Sequence, residues 1–160
     1  MELPFLGTWE CAIDEKRRLT LPARLRELLT AIEASPELMV TRGHKGCLYV
    51  IPPKTWNELK PGLFRGVMGG DEGAVKLRHL MARYGNLARI DNSGRITLTD
   101  LQVKVAGLEK EAIVFGSYNR IEIWNPRRFE EAFPLPADGE EYDRLLSGYV
   151  DGAPKRGEEP

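Results

Sequence analysis

Little in this chain can hold a metal or run thiol chemistry. It carries two cysteines, Cys11 and Cys47, with no Cys-x-x-Cys pair, and two histidines, His44 and His79, far apart in sequence. Zinc-ligand spacings are missing, so no metal and no cofactor is expected, and the cysteines read as small hydrophobes. Long apolar runs are missing too, since none approaches the ~18 residues of a membrane span. Met1-Glu2-Leu3-Pro4 lacks the apolar stretch of a signal peptide. A cytoplasmic protein with no membrane partner is expected. No Ser-His-Asp or Cys-His arrangement and no phosphate-cradling glycine loop is present. Gly69-Gly70-Asp71-Glu72-Gly73 sets two carboxylates among glycines, but nothing else places a site there. An enzyme is not expected.

What the chain does have is repetition. Residues 13–19 read Ile-Asp-Glu-Lys-Arg-Arg-Leu and residues 90–96 read Ile-Asp-Asn-Ser-Gly-Arg-Ile, each with Asp four residues before Arg, at an offset of 77. A second match follows at an offset of 73, in which Gly43, Leu48-Tyr49-Val50-Ile51 and Trp56 align with Gly116, Ile121-Glu122-Ile123-Trp124 and Phe129. Such a period marks a duplicated small domain, not a solenoid of shorter repeats. Each copy is too small to bury a sizeable core alone, so the two are expected to share one. A duplicated chain builds a pseudo-twofold body, a shape suited to DNA.

The net charge of −1 argues against nucleic acid at first sight. Its distribution argues otherwise. Residues 137–160 carry a net −4, which leaves +3 on the first 136. Lys16, Arg17, Arg18, Arg24 and Arg26 fall within eleven positions free of acid. Such a run is either a solvated face or a phosphate contact.

Pattern and punctuation predict strand–turn–strand around residues 14–17, with Arg18 at an exposed loop tip. Pro22 is expected at the first position of a helix over 23–29, with Leu25, Leu28, Leu29 and Ile32 on one face. Strands over 38–42 and 47–51 form a hairpin through Gly43-His44-Lys45-Gly46, and a short helix begins over 54–59. Five glycines and a proline make 61–73 a linker or mobile loop. A helix over 75–84 carries the stripe Leu77, Leu80, Met81 and Tyr84, expected to pack on the body or on a neighbouring subunit. The second copy repeats strand, turn, strand, a weaker helix over 101–105 and a hairpin. A helical turn or two is expected over 142–149 and disorder over the last ten residues. Tyr49, Trp56, Trp124 and Phe129 read as core packing.

The succession Asp14-Glu15-Lys16-Arg17-Arg18-Leu19-Thr20-Leu21-Pro22-Ala23-Arg24-Leu25-Arg26 resembles the first motif of the MraZ family of bacterial transcriptional regulators. So do Thr41-Arg42-Gly43, Gly46-Cys47-Leu48-Tyr49-Val50 and Asn119-Arg120-Ile121-Glu122-Ile123-Trp124, and the likeness runs in order over residues 5–130. The resemblance implies an α+β, β-rich fold of two tandem SpoVT/AbrB-like swapped-hairpin units sharing one pseudo-twofold barrel, with short flanking helices. The implied parts are a first AbrB-like domain over 8–55, a linker and helix over 56–84, a second AbrB-like domain over 85–128, and a C-terminal helix and disordered tail over 129–160. It also implies a nucleoid-associated ring homo-oligomer. The ring would regulate transcription by sequence-specific binding to double-stranded DNA, at short direct repeats upstream of the division and cell-wall gene cluster.

On that likeness Lys16 and Arg18 of the first copy and Arg95 of the second bind DNA, with the second motif the weaker because fewer bases surround it. Arg17 adds a cation to the same DNA-binding edge, and Arg24 either contacts the DNA flank or lies along the surface. Asp14 and Asp91 position the loops. An aspartate there can accept turn amides and pair with an arginine fork that reaches a phosphate or a guanine edge. The plainer alternative is that each Asp–Arg pair only staples its hairpin. Two departures from the family pattern follow. Gly94 keeps the glycine that precedes the motif arginine but Arg17 replaces it, at a cost on the order of 1 kcal/mol if the position needs φ > 0. Pro22 has no counterpart in Thr99-Asp100, where Asp100 is expected to cap the helix. The residues leave open a non-catalytic oligomerising scaffold or an antitoxin-like partner-binding protein.

Overall fold

Strand pairing crosses between the two copies of the repeat. The computed structural model describes residues 3–34, 36–64 and 71–152, and shows a mixed α+β fold of eight strands and six helices among them. The first copy supplies β1 (Phe5–Ala12), β2 (Arg18–Thr20), α1 (Ala23–Ile32), β3 (Leu38–Arg42), β4 (Leu48–Ile51) and α2 (Pro53–Leu63). After α3 (Glu72–Tyr84), the second copy supplies β5 (Asn86–Ala88), β6 (Arg95–Thr97), α4 (Asp100–Ala106), β7 (Glu111–Tyr118), β8 (Arg120–Trp124) and α5 (Pro126–Ala132). Last comes α6 (Glu140–Tyr149). The chain divides into two compact units, Met1–Arg128 and Phe129–Pro160.

In the first unit a six-stranded antiparallel sheet runs β1-β7-β8-β4-β3-β5, and β2 and β6 form a separate ribbon. If each strand is exchanged for its counterpart in the other copy, the same order is read backwards. The turn over residues 14–17 does join two strands, but β1 and β2 share only the isolated bridge Ile13–Leu19. β1 instead pairs with β7, β2 with β6, and β5 with β3. Two residue pairs mark where the twofold relation passes. Leu19 faces Ile96 across the ribbon and Tyr49 faces Glu122 across β4–β8, and in each case the repeat equates the two partners.

One core serves both copies. Leu19, Leu21, Leu25, Leu29, Val40, Leu48 and Val50 cluster with Ile96, Leu98, Val114, Ile121 and Ile123, all buried. Burying a side chain of this size contributes about 1.5–3 kcal/mol, and neither copy has the partners to do so alone. Gln102, fully buried, ties α4 to its surroundings. Its amide donates to the carbonyls of Val40 and Tyr84 and to Asn86 Oδ1 at 3.2, 2.9 and 2.8 Å. No helix among the described residues is long and apolar enough to cross a membrane.

Several boundaries differ from expectation for local reasons. Pro22 is the N-cap of α1, not its first helical residue. Its ψ of 138° is extended, while its carbonyl accepts the first helical amide, that of Arg26, at 3.1 Å. In the second copy Thr99, not Asp100, is the cap. Its hydroxyl accepts the Gln102 amide and Gln102 Oε1 accepts the Thr99 amide, a reciprocal box that leaves Asp100 to complement the helix dipole from the first turn. The expected linker over 61–73 is shorter. α2 continues through Pro61 to Leu63, and α3 starts at Glu72 with Asp71 capping the Gly73 amide. The rest of that stretch, 65–70, lies outside the described residues, as does most of the expected disordered tail. The apolar stripe of α3 is not fully covered, with Leu77 48% and Leu80 43% exposed. In the second unit α6 spans ten residues, longer than a turn or two, and leaves Tyr142, Leu145, Leu146 and Tyr149 exposed.

Candidate nucleic-acid interface

The two Asp-x-x-x-Arg segments fold alike. Asp14 Oδ1 accepts the amides of Lys16 and Arg18 at 2.9 Å each, and its other oxygen takes Arg18 Nε at 2.6 Å. Asp91 Oδ1 accepts the amides of Ser93 and Arg95 at 2.9 Å each, and its other oxygen takes Arg95 Nε at 2.9 Å. Matching backbone bonds close each turn, from Asp14 N to Arg18 O and Arg17 N to Asp14 O, and from Asp91 N to Arg95 O and Gly94 N to Asp91 O. The Arg18 amide foremost, then the Arg18 guanidinium and the Lys16 amide, hold the Asp14 carboxyl below the usual aspartate range against a smaller opposing desolvation. Asp91 is held down the same way, with the Arg95 amide foremost.

The ribbon register puts the two arginines on one surface. Arg18 faces Thr97 and Thr20 faces Arg95, while Leu19 and Ile96 between them point into the core. Side chains alternate along a strand, so Arg18, Thr20, Arg95 and Thr97 share the outer face, with the arginines on a diagonal of about 7–8 Å. Arg18 is therefore not an exposed tip. It opens β2, and its side chain is 29% exposed, matched by 30% for Arg95. Each spends Nε on its own copy's aspartate, and the terminal nitrogens have no hydrogen-bond partner among the described residues. A guanidinium anchored at Nε presents those two nitrogens as a fixed fork, the geometry that suits a phosphate or a guanine edge.

The other sequence-derived residues fall less evenly. Lys16 is exposed beside Arg18 in the first turn. Arg17 sits at φ 60° and Gly94 at φ 78°, so the position does require left-handed backbone, yet the first turn keeps the shape of the second. Arg17 Nε donates to the Leu98 carbonyl at 3.2 Å. Arg24 lies away from the turns' hydrogen bonds, paired loosely at 3.4 Å with Glu27 on its own helix.

Sequence reasoning gave no role to a polar cluster at the centre of the sheet. Glu122, 3% exposed, accepts Trp124 Nε1 at 3.0 Å and pairs with Arg120 Nη2 at 2.9 Å. The Arg120 guanidinium lies 4.3 Å over the Tyr49 ring, and the Tyr49 hydroxyl shares a hydrogen bond with His44 Nδ1. Burial foremost, then the Glu122 charge, pushes the Cys47 thiol up to about 12, so it is no nucleophile at neutral pH. The signal was there: residues 120, 122 and 124 alternate with buried Ile121 and Ile123, placing three polar or amphipathic side chains on one face of a central strand.

A duplicated body whose two copies set matching aspartate-braced arginines on a shared ribbon defines a narrow class. A family profile described as "MraZ protein, putative antitoxin-like" matches residues 4–62 and 81–134. A protein of Saccharopolyspora erythraea named "Transcriptional regulator MraZ" is 36% identical over 79% of this chain and 84% of its own length. Proteins of the same name from Deinococcus radiodurans and Thermomicrobium roseum are 31% and 35% identical, over 92% and 91% of this chain and 99% of their own lengths. The chain belongs to the MraZ family of transcriptional regulators.

Proposed function

We propose that this protein regulates transcription by sequence-specific binding to double-stranded DNA through the outer face of the β2–β6 ribbon. The carrying observation is the pair Arg18 and Arg95, held on one face by identical aspartate braces with their terminal nitrogens unspent. Lys16 and Arg17 add charge to the first turn. Asp14 and Asp91 position the arginines and do not themselves touch DNA. Arg24 belongs to the flank of the interface.

The strand exchange supports two AbrB-like swapped-hairpin units over 8–55 and 85–128, joined by the linker and helix over 56–84 and followed by the segment over 129–160. The DNA is a set of short direct repeats upstream of the division and cell-wall gene cluster, and the protein reads it as a nucleoid-associated ring. The exposed Leu77 and Leu80 of α3 offer an apolar face between neighbouring subunits. A single ribbon with few cations binds weakly at physiological salt, and tethering subunits raises avidity by ~10²–10⁴ without a new contact.

Probes with one, two and three repeats, titrated alongside a measurement of mass in solution, test this directly. Affinity should climb steeply with repeat number and the mass should be that of an oligomer. A monomeric mass, or indifference to repeat number, contradicts the ring.

A further inference from the structure

Two carbonyl oxygens, those of Leu21 and Leu98, stand at equivalent places where β2 leads into α1 and β6 leads into α4. Each accepts a guanidinium Nε. Arg26 donates to Leu21 O at 3.0 Å and Arg17 donates to Leu98 O at 3.2 Å. The two arginines are not each other's counterparts. Arg26 lies on helix α1, and the residue in its place in the second copy is Val103, which has no polar side-chain atom. Arg17 lies in the turn, and the residue in its place in the second copy is Gly94.

The missing side chains complement each other. A Cβ on Gly94 would stand 2.3 Å from Arg26 Nη1, 2.6 Å from its Cζ and 2.9 Å from its Cδ, so the Arg26 side chain occupies the space above that glycine. Gly94 is buried although Asp91, Asn92 and Ser93 beside it are exposed. Ribbon amides tie the same points together, with Leu21 N donating to Gly94 O and Leu98 N to Arg17 O at 2.9 Å each. The sequence separates Arg26 from the second turn by 68 residues, and the fold lays one upon the other.

We propose that Arg17 and Arg26 are the positioning residues of the first and second turns. Each turn is joined to the other copy's helix start by the same guanidinium-on-carbonyl lock, made from opposite sides. Arg17 in the first turn reaches the start of α4, whose Val103 has no guanidinium, and Arg26 on α1 lies over Gly94 of the second turn. The lock holds each turn against the start of the other copy's helix, and with it the braced arginine that faces DNA. The second turn is thereby less poor in cations than Asn92-Ser93-Gly94 implies. This rests on the DNA-binding reading only for its consequence, since the lock itself is a matter of turn geometry.

The test is an exchange of the two solutions in the full-length protein. Arg26→Val, Gly94→Arg and the double variant, which copies the first turn's combination into the second, are compared with the parent. Two quantities are measured: the ratio of affinity for upstream DNA to affinity for unrelated DNA, and hydrogen exchange over residues 91–95. Losing a hydrogen bond from a charged group predicts that Arg26→Val lowers the ratio about tenfold and speeds exchange. Gly94→Arg alone should do at least as much damage, because its new side chain displaces Arg26 from the Leu21 carbonyl and must itself adopt left-handed backbone. The double variant should recover most of both losses. Losses that simply add, or an Arg26→Val protein with unchanged ratio and exchange, overturn the proposal. Should Gly94→Arg fail to fold, Arg17→Gly with Val103→Arg makes the reciprocal exchange in the first turn and carries the same expectation of rescue. A parent that shows no preference for upstream DNA defeats the functional reading instead, and the exchange data still decide the lock.

Discussion

The two turns of the ribbon reach one geometry from interiors that share no residue, Glu15-Lys16-Arg17 in the first and Asn92-Ser93-Gly94 in the second. Five equivalent hydrogen bonds recur in each, three to the aspartate side chain and two within the backbone. The aspartate and the arginine four residues later therefore determine the turn, and the residues between them are free to vary in charge. One interior position is constrained. The residue before the arginine must adopt φ near 60–78°, which glycine does at no steric cost and arginine does at roughly 1–2 kcal/mol. The Arg17 bond to the Leu98 carbonyl offsets part of that, and the second turn has the matching bond from Arg26 to the Leu21 carbonyl without the backbone cost.

The sharpest way to break this comparison is to remove the arginines one at a time. On the proposed DNA-binding reading, Arg18→Ala and Arg95→Ala each delete a fork worth ~1–3 kcal/mol per base contact, multiplied over the subunits of the proposed ring. Counting neighbouring cations along the sequence makes Arg95 the weaker contributor. With Arg26 laid over the second turn, the two losses are expected to be of the same order in parallel titrations. A large loss for one and none for the other would show that the turns match in shape but not in use.

A milder perturbation acts on both braces together. Asp14 and Asp91 titrate below the ordinary aspartate value. Their contribution to the folded turns is thus fully present above about pH 3.9 and is lost as the pH falls below that through the lowered folded values. Amide signals of Lys16, Arg18, Ser93 and Arg95 should move together in an acid titration followed by NMR. One turn loosening well before the other would separate them.

Backbone substitutions sharpen the contrast further. Gly94→Ala adds a side chain at φ 78° against Arg26 and should cost about 1–2 kcal/mol in urea unfolding. Arg17→Gly removes the strained side chain and its hydrogen bond together, and should change stability by less than about 1 kcal/mol.

Much of this arrangement was legible in the chain. The repeat announced a shared core, and the Asp–Arg spacing announced turns in which aspartate accepts amides, because those features depend on residues close in sequence. The choice of strand partners was not legible. β1 is mostly exposed along its length, so its alternation names no buried face and cannot show that it pairs with β7 and not with β2. The contact of Arg26 with Gly94 was hidden for a related reason: a helical cation near a basic run reads as surface charge until the fold shows which turn lies beneath it. The cap at Thr99 is masked in the sequence by the adjacent Asp100, the more conspicuous acceptor, although Gln102 three residues on completes a capping box.

The most direct measurement is a binding titration of the parent and the Arg18→Ala, Arg95→Ala double variant against DNA from the protein's own upstream region, at two salt concentrations. If the braced arginines read the DNA, the parent binds tightly with affinity that falls steeply with salt. The double variant then keeps its fold and oligomeric mass but no longer distinguishes upstream from unrelated DNA. A folded double variant that binds the upstream region as tightly and as selectively as the parent would place the interface elsewhere on the molecule.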